Sequence, residues 1–219
     1  MTLDVVILGV FVADTAYRAK RQPRMGETIL GQSFALGPGG KGSNQSVAAG
    51  MAGASVGFIT KLGKDPFADM ALATWKKAGV TSLATQRADD YTGAAYIFID
   101  ENTGDNAIIV CPGAAATISR SDIDTHAEAI QECKVFMTQL EQPIDAAEYA
   151  LACARKAGAT TILNPAPAAE LPGSMIALCD FVTPNETEAE AITGVIVNSS
   201  KDACAAAEAL LAKGAGAAI

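Results

Sequence analysis

The chain has 219 residues, of which 50% are hydrophobic and 18% charged. At roughly 150 residues per domain that is one large domain, or one with a small appendage, and the apolar content is too high for a disordered chain. Acids outnumber bases by 24 to 16, a formal net charge of −8, which sets the surface against nucleic-acid phosphates and anionic membranes and leaves room only for a local basic pocket.

No apolar run reaches the roughly 18 residues of a membrane span. Met1 to Gly9 has no basic region before its apolar stretch and carries Asp4 inside it, unlike a secretion signal. The cysteines Cys111, Cys133, Cys153, Cys179 and Cys204 form no C-x-x-C pair, so reduced thiols in a cytoplasmic protein are expected. His126, the single histidine, lies in a polar helical stretch and reads as a surface residue. With no second histidine and no paired cysteines, a structural zinc site is not expected.

Taken in order, Leu3 to Gly9 is a short apolar run ending in glycine, as a buried strand should be. Thr28 to Ala35 is extended. Ser43 to Ala52 reads as a helix and Ser55 to Lys61 as a strand. Pro66 to Ala78 reads as a helix with proline in its first turn and Gly79 at its end, and Trp75 within it is a packing residue. Ala94 to Ile99 and Ala107 to Cys111 are strand-like runs joined by the polar loop 100–106, a hairpin signature. Lys134 to Thr138 is a strand, Ile144 to Ala157 a helix closed by Gly158, Thr160 to Leu163 a strand and Phe181 to Thr183 a short strand. Helices follow at about 185–193 and 201–213, and 216–219 begin another strand. Strands separated by helices indicate βαβ units and a parallel sheet covered on both faces, with the antiparallel runs set apart as a small lid. A last strand that begins and does not finish is expected of the N-terminal portion of a longer domain.

The densest signal is Gly37-Pro38-Gly39-Gly40-Lys41-Gly42-Ser43-Asn44-Gln45, just before a helix. Glycines permit close backbone approach and positive φ, and a helix N-terminus offers free N–H groups to an oxygen-rich ligand. Residues 37–42 match G-x-G-x-x-G, but the segment does not follow the first strand, so the dinucleotide reading is weak. A P-loop is excluded because Gly42, not Ser or Thr, follows Lys41. A tight turn without a ligand is the plainer alternative.

These segments together resemble the ribokinase-like, PfkB-type carbohydrate kinases over essentially the whole chain. The motifs in order are Gly9-Val10-Phe11-Val12-Ala13-Asp14, Pro23-Arg24-Met25-Gly26-Glu27-Thr28, Gly39 to Gln45, Leu62-Gly63-Lys64-Asp65-Pro66-Phe67-Ala68, Gln139-Leu140-Glu141, Asn164-Pro165-Ala166-Pro167-Ala168 and Thr183-Pro184-Asn185-Glu186-Thr187-Glu188. The resemblance implies a three-layer α/β/α fold with a mostly parallel central sheet and a β lid from segments near 12–36 and 94–111. Residues 1–219 would be the N-terminal portion of one kinase domain.

It further implies transfer of the γ-phosphate of ATP to a hydroxymethyl group of a pentose, D-ribose above others, with Mg²⁺ and a monovalent cation, K⁺ first. Asp14, Gly40, Lys41, Asn44 and Glu141 would bind the sugar. Asn185 and Glu188 would organise Mg²⁺, its waters and the ATP phosphates, Glu188 reaching the metal through water. Asn185 as a plain helix cap is the alternative, and the two roles are compatible. The lid would also form a homodimer contact.

Two departures stand out. Val12 occupies a place where the family usually has asparagine, so one sugar hydrogen bond is lost. The family's Gly-Ala-Gly-Asp element, with its catalytic base, is expected beyond Ile219, so this chain alone is expected to have little kinase activity. A non-catalytic sugar- or nucleoside-binding module of the same fold is the competing expectation.

Overall fold

The computed structural model describes residues 3–87 and 89–219. Its larger sheet is parallel throughout. It comprises β1 (Val5–Leu8), β4 (Val56–Leu62), β5 (Val80–Gln86), β8 (Val135–Thr138), β9 (Thr160–Leu163), β10 (Phe181–Val182) and β11 (Ala217–Ala218), in the order β11-β10-β9-β8-β1-β4-β5. Strand β1 is central, with Leu8 opposite Ile59 on one side and Thr138 on the other.

Side chains of a strand alternate between faces, so β1 feeds two cores. Val6 and Leu8 pack with Ile59, Phe136, Ile123, Ile130 and Leu151. That side is covered by α3 (Arg120–Thr125), α4 (Ala127–Glu132) and α5 (Ile144–Ala157). Ile7 joins Phe11, Phe58 and Trp75 on the other face, covered by α1 (Lys41–Met51) and α2 (Pro66–Lys77). Trp75 is fully buried, edge-on to Phe11 and Phe58 at centroid distances of 5.9 and 5.0 Å, and its indole N–H donates to Ser43 Oγ at 2.9 Å. The expected three-layer α/β/α class is the one observed.

The expected lid segments build a second, four-stranded sheet, β3-β2-β6-β7, from β2 (Val12–Ala19), β3 (Ser33–Gly39), β6 (Thr92–Asp100) and β7 (Asn106–Gly113). Pairs β2–β3 and β6–β7 are antiparallel, whereas β2 and β6 run parallel. The hairpin turn closes with the Gly104 amide donating to Asp100 O at 3.0 Å.

Several boundaries differ from expectation. The extended stretch expected over 28–35 is irregular to Gln32, and the strand runs from Ser33 to Gly39. Strand β5 was absent from the sequence reading because it is an edge strand with polar Thr81, Ser82, Thr85 and Gln86 and one buried residue, Val80. Helix α1 starts at Lys41, two residues before the expected Ser43. His126 is half-buried at the α3–α4 junction rather than on the surface, because the two short helices fold its ring back towards the sheet, within reach of the Leu83 backbone. All five cysteines are free. Among the described residues no helix is long and apolar enough to cross a membrane.

Candidate functional site

From β1 the chain builds β4 and β5 on one side and later returns to place β8 on the other, so the strand order reverses between β1 and β8. In an open parallel sheet the crevice beyond the carboxyl ends of the strands at such a point is the usual ligand site. Four of the residues expected to bind sugar, Asp14, Gly40, Lys41 and Glu141, converge there, and Asn44 lies on the same first turn of α1.

Asp14 lies in β2, half-buried, with its carboxylate so close over Gly39 that a side chain there would meet it at 2.3 Å. Burial raises the Asp14 pKa above the ordinary carboxylate value, and the positive charge of Lys41 offsets this only in part. Gly40 caps α1 with φ of 89°, and a Cβ on it would stand 2.3 Å from Val10 O. Only glycine meets both demands without strain. Its absent side chain lets the first turn of α1 sit on the end of β1, where the Ser43 amide donates to Val10 O at 3.2 Å.

Glu141 follows β8 and reaches that same turn. Its Oε2 accepts from the Lys41 amide at 2.7 Å, and its Oε1 stands 3.5 Å from Lys41 Nζ. The loop carrying Glu141 is held from beneath. Gln142 Nε2 donates to Thr138 Oγ1 at 2.9 Å and to Gln139 O, while Gln139 Nε2 donates to Gln45 Oε1 of α1. Asn44 is exposed on the first turn of α1, its side chain engaged by no hydrogen bond among the described residues.

Asn185 and Glu188 form a separate group. They open α7 (Glu186–Thr193), which follows β10. Asn185 Oδ1 accepts from the Glu188 amide at 2.8 Å, and Glu188 Oε2 accepts from the Asn185 amide at 2.9 Å, a reciprocal capping box. Glu188 is buried, and no hydrogen bond among the described residues engages its Oε1. Strand β10 lies three strands from β1 and two from β8. At about 4.8 Å per strand the two groups share one rim of the sheet, about 10–15 Å apart.

One residue at this rim escaped the sequence reading. Lys61, near the end of β4, is 7% exposed and pairs with Asp122 Oδ2 at 2.8 Å. A lysine within a strand carries no local signal of burial, since its partner lies 61 residues away in sequence.

An open α/β sheet with carboxylates, a lysine and a helix N-terminus gathered at its switch point is built to hold a small polar molecule. The chain belongs to the pfkB family of carbohydrate kinases, whose model matches residues 2–219. It is 36% identical over 214 residues to the deoxyribokinase of Salmonella typhi, covering 97% of this chain and 70% of that protein. It is 38% identical over 203 residues to the ribokinase of Staphylococcus aureus, covering 92% of this chain and 66% of that protein. The ribokinase of Giardia lamblia superposes with a TM-score of 0.87 at 28% identity, over 100% of this chain and 68% of that one. The family is therefore the one its motifs implied, that of ATP-dependent sugar kinases.

Proposed function

We propose that this protein takes part in phosphorylation of a pentose at its terminal hydroxymethyl group. The hydroxyl oxygen attacks the γ-phosphorus of ATP, the bond to the bridging oxygen breaks, ADP leaves and the hydroxyl proton passes to a general base. No residue described here is proposed as that base. The observation that carries the reading is the convergence of Asp14, Gly40, Lys41 and Glu141 at the β1–β8 switch point. Carboxylates accept from vicinal hydroxyls, while the Lys41 ammonium donates to them.

For Mg²⁺ the donor set fits. Glu188 offers one carboxylate oxygen outside its cap, and Mg²⁺ commonly keeps waters and phosphate oxygens as its remaining ligands. When bound, the metal would neutralise charge on the ATP phosphates. A monovalent cation belongs to the same reading, with no described residue assigned to it.

D-ribose is the expected pentose. One observation favours 2-deoxyribose as a second reading. Val12 is two residues before Asp14, on the same face of β2, and is 5% exposed. A buried valine there offers no hydrogen bond to a hydroxyl, and a deoxyribokinase stands among the relatives at 36% identity. The reading also takes a second copy of the chain as partner across the smaller sheet. Its support is the exposed apolar surface there, with Phe34, Ile109 and Val110 more than half exposed and the Tyr17 ring tilted against Phe34 at a centroid distance of 5.1 Å.

The test measures ADP formation and calorimetric binding with ribose and 2-deoxyribose, using the polypeptide as made in its native source. Pentose-dependent ADP formation supports the reading, and the better pentose decides the role of Val12. Binding without ADP formation would favour a non-catalytic module. Absence of both would overturn the reading.

A further inference from the structure

The β6–β7 hairpin of the smaller sheet has two roots, and both are tied to the same five residues, 61–65, at the end of β4. At the first root Asp65 Oδ2 accepts from the Thr92 amide at 2.7 Å, and Thr92 Oγ1 accepts from the Gly63 amide at 2.9 Å. Asp65 Oδ1 meanwhile caps α2 through the Ala68 amide at 2.9 Å, which fixes the carboxylate in place. At the second root the chain leaves β7 through a 3-10 turn, Ala114–Thr117. Lys61 Nζ donates to Thr117 O at 2.7 Å, lies 3.4 Å from Thr117 Oγ1, and pairs with Asp122 at 2.8 Å. Asp122 in turn accepts from the Ser119 amide and hydroxyl at 2.8 and 2.6 Å, so turn and helix α3 are held together.

A buried ion pair is a poor source of net stability, because desolvation of both charges offsets their attraction and apolar side chains of similar volume often do as well. What Lys61 adds is direction: its ammonium converges on acceptors from the segment that ends the hairpin. That direction reaches the sugar site through the sheet. Strand β6 pairs with β2 residue for residue, Ala95 opposite Asp14, and Thr15 Oγ1 donates to Ala95 O at 2.8 Å. A shift of the hairpin roots therefore shifts Asp14.

We propose that Lys61 and Thr92 are positioning residues of the sugar site, clamping both roots of the β6–β7 hairpin to the end of β4 so that Asp14 faces Lys41 and Glu141. The proposal rests on the reading of that site as a pentose site only where affinity is concerned; the clamp itself is independent of it.

The experiment compares Lys61→Met and Thr92→Val with the unaltered chain by amide hydrogen exchange without ligand, by pentose affinity and by thermal unfolding. Lys134→Met is the control. It loses the same charge, but from a 79% exposed side chain paired with Asp4 near the opposite end of the sheet. Expected is about tenfold faster exchange over residues 92–113 and the β2 residues paired with them in both clamp variants, with α5 and β8 unchanged. Pentose affinity should fall about tenfold; Tm should fall less in Thr92→Val than in Lys61→Met, which leaves the Asp122 carboxylate without its partner. Unchanged exchange over 92–113 overturns the proposal. So does acceleration spread equally over α5, which would make the residues stability elements only. Should Lys61→Met fail to fold, Thr92→Val decides by the same criteria. If no pentose binds the unaltered chain, the function falls, while the exchange pattern still decides the clamp.

Discussion

Glu141 holds Lys41 at two points, accepting its amide N–H at 2.7 Å and facing its ammonium at 3.5 Å, although the residues are 100 positions apart. The contact joins the loop after β8 to the first turn of α1 across the switch point. It sets a carboxylate at the positive end of a helix, where the dipole favours it. Lys41 therefore stands between two carboxylates of different condition. Glu141 is satisfied by the amide, whereas Asp14 faces it with little compensation for its burial.

Asp14 is expected to trade stability for binding. Its folded pKa is raised above 3.8, chiefly by burial and despite Lys41. The charged form is thus less favourable in the folded chain than in the unfolded one. That cost is present above the folded pKa and vanishes as pH falls below 3.8. Asp14→Asn removes it. At pH 7 the urea midpoint should hold or rise, while pentose affinity should fall about 10- to 100-fold, the loss of hydrogen bonds to a charged acceptor. A lowered midpoint would show that the carboxylate is a structural group.

Asn185 and Glu188 can be tested for a role beyond their cap. Asn185→Ala should cost about 1 kcal/mol of stability. Asn185→Asp and Glu188→Gln both retain a capping oxygen, so their Tm should stay near that of the unaltered chain. Their Mg·ATP affinity, by calorimetry, should nonetheless fall about tenfold if the pair orders metal and phosphates. Unaltered affinity in both would leave the pair as a cap alone.

His126 sets a limit on stability at mildly acidic pH. Burial lowers its pKa below 6.5, while the Asp122 charge and a hydrogen bond with the Leu83 backbone offset this in part. The unfolded chain therefore takes up the proton more readily. Stability is fully present above 6.5 and is lost as pH falls through the folded value. His126→Gln should flatten that part of the curve, read as urea midpoints from about pH 5 to pH 7.5. Equal slopes in the two proteins would remove His126 as the cause.

Much of the site was legible because its signals are local. The run of glycines before Lys41 asks for close approach and positive φ; Gly39 shows the first and Gly40 both. Pro66 and Gly79 bound α2 as expected, and Asn185 begins α7 with Glu188 three residues on. Strand β5 was illegible for the converse reason, since an edge strand exposed on most of its length needs no apolar run. His126 misled because two helices of six residues each bury a ring that a single amphipathic helix would have left outside.

By itself the sequence determined the buried strands and the longer helices, the glycine-rich turn before α1, and which family the motifs belong to. Each of these depends on the conformational preferences of neighbouring residues, which are written along the chain. Only the tertiary structure decided that β1 lies between β4 and β8, that Glu141 meets the Lys41 amide, and that Lys61 is buried against Thr117 and Asp122. Those facts arise from pairing between distant segments. Loop-closure entropy, strand crossover and the need to satisfy every buried polar group select one arrangement there, and no local pattern carries that choice.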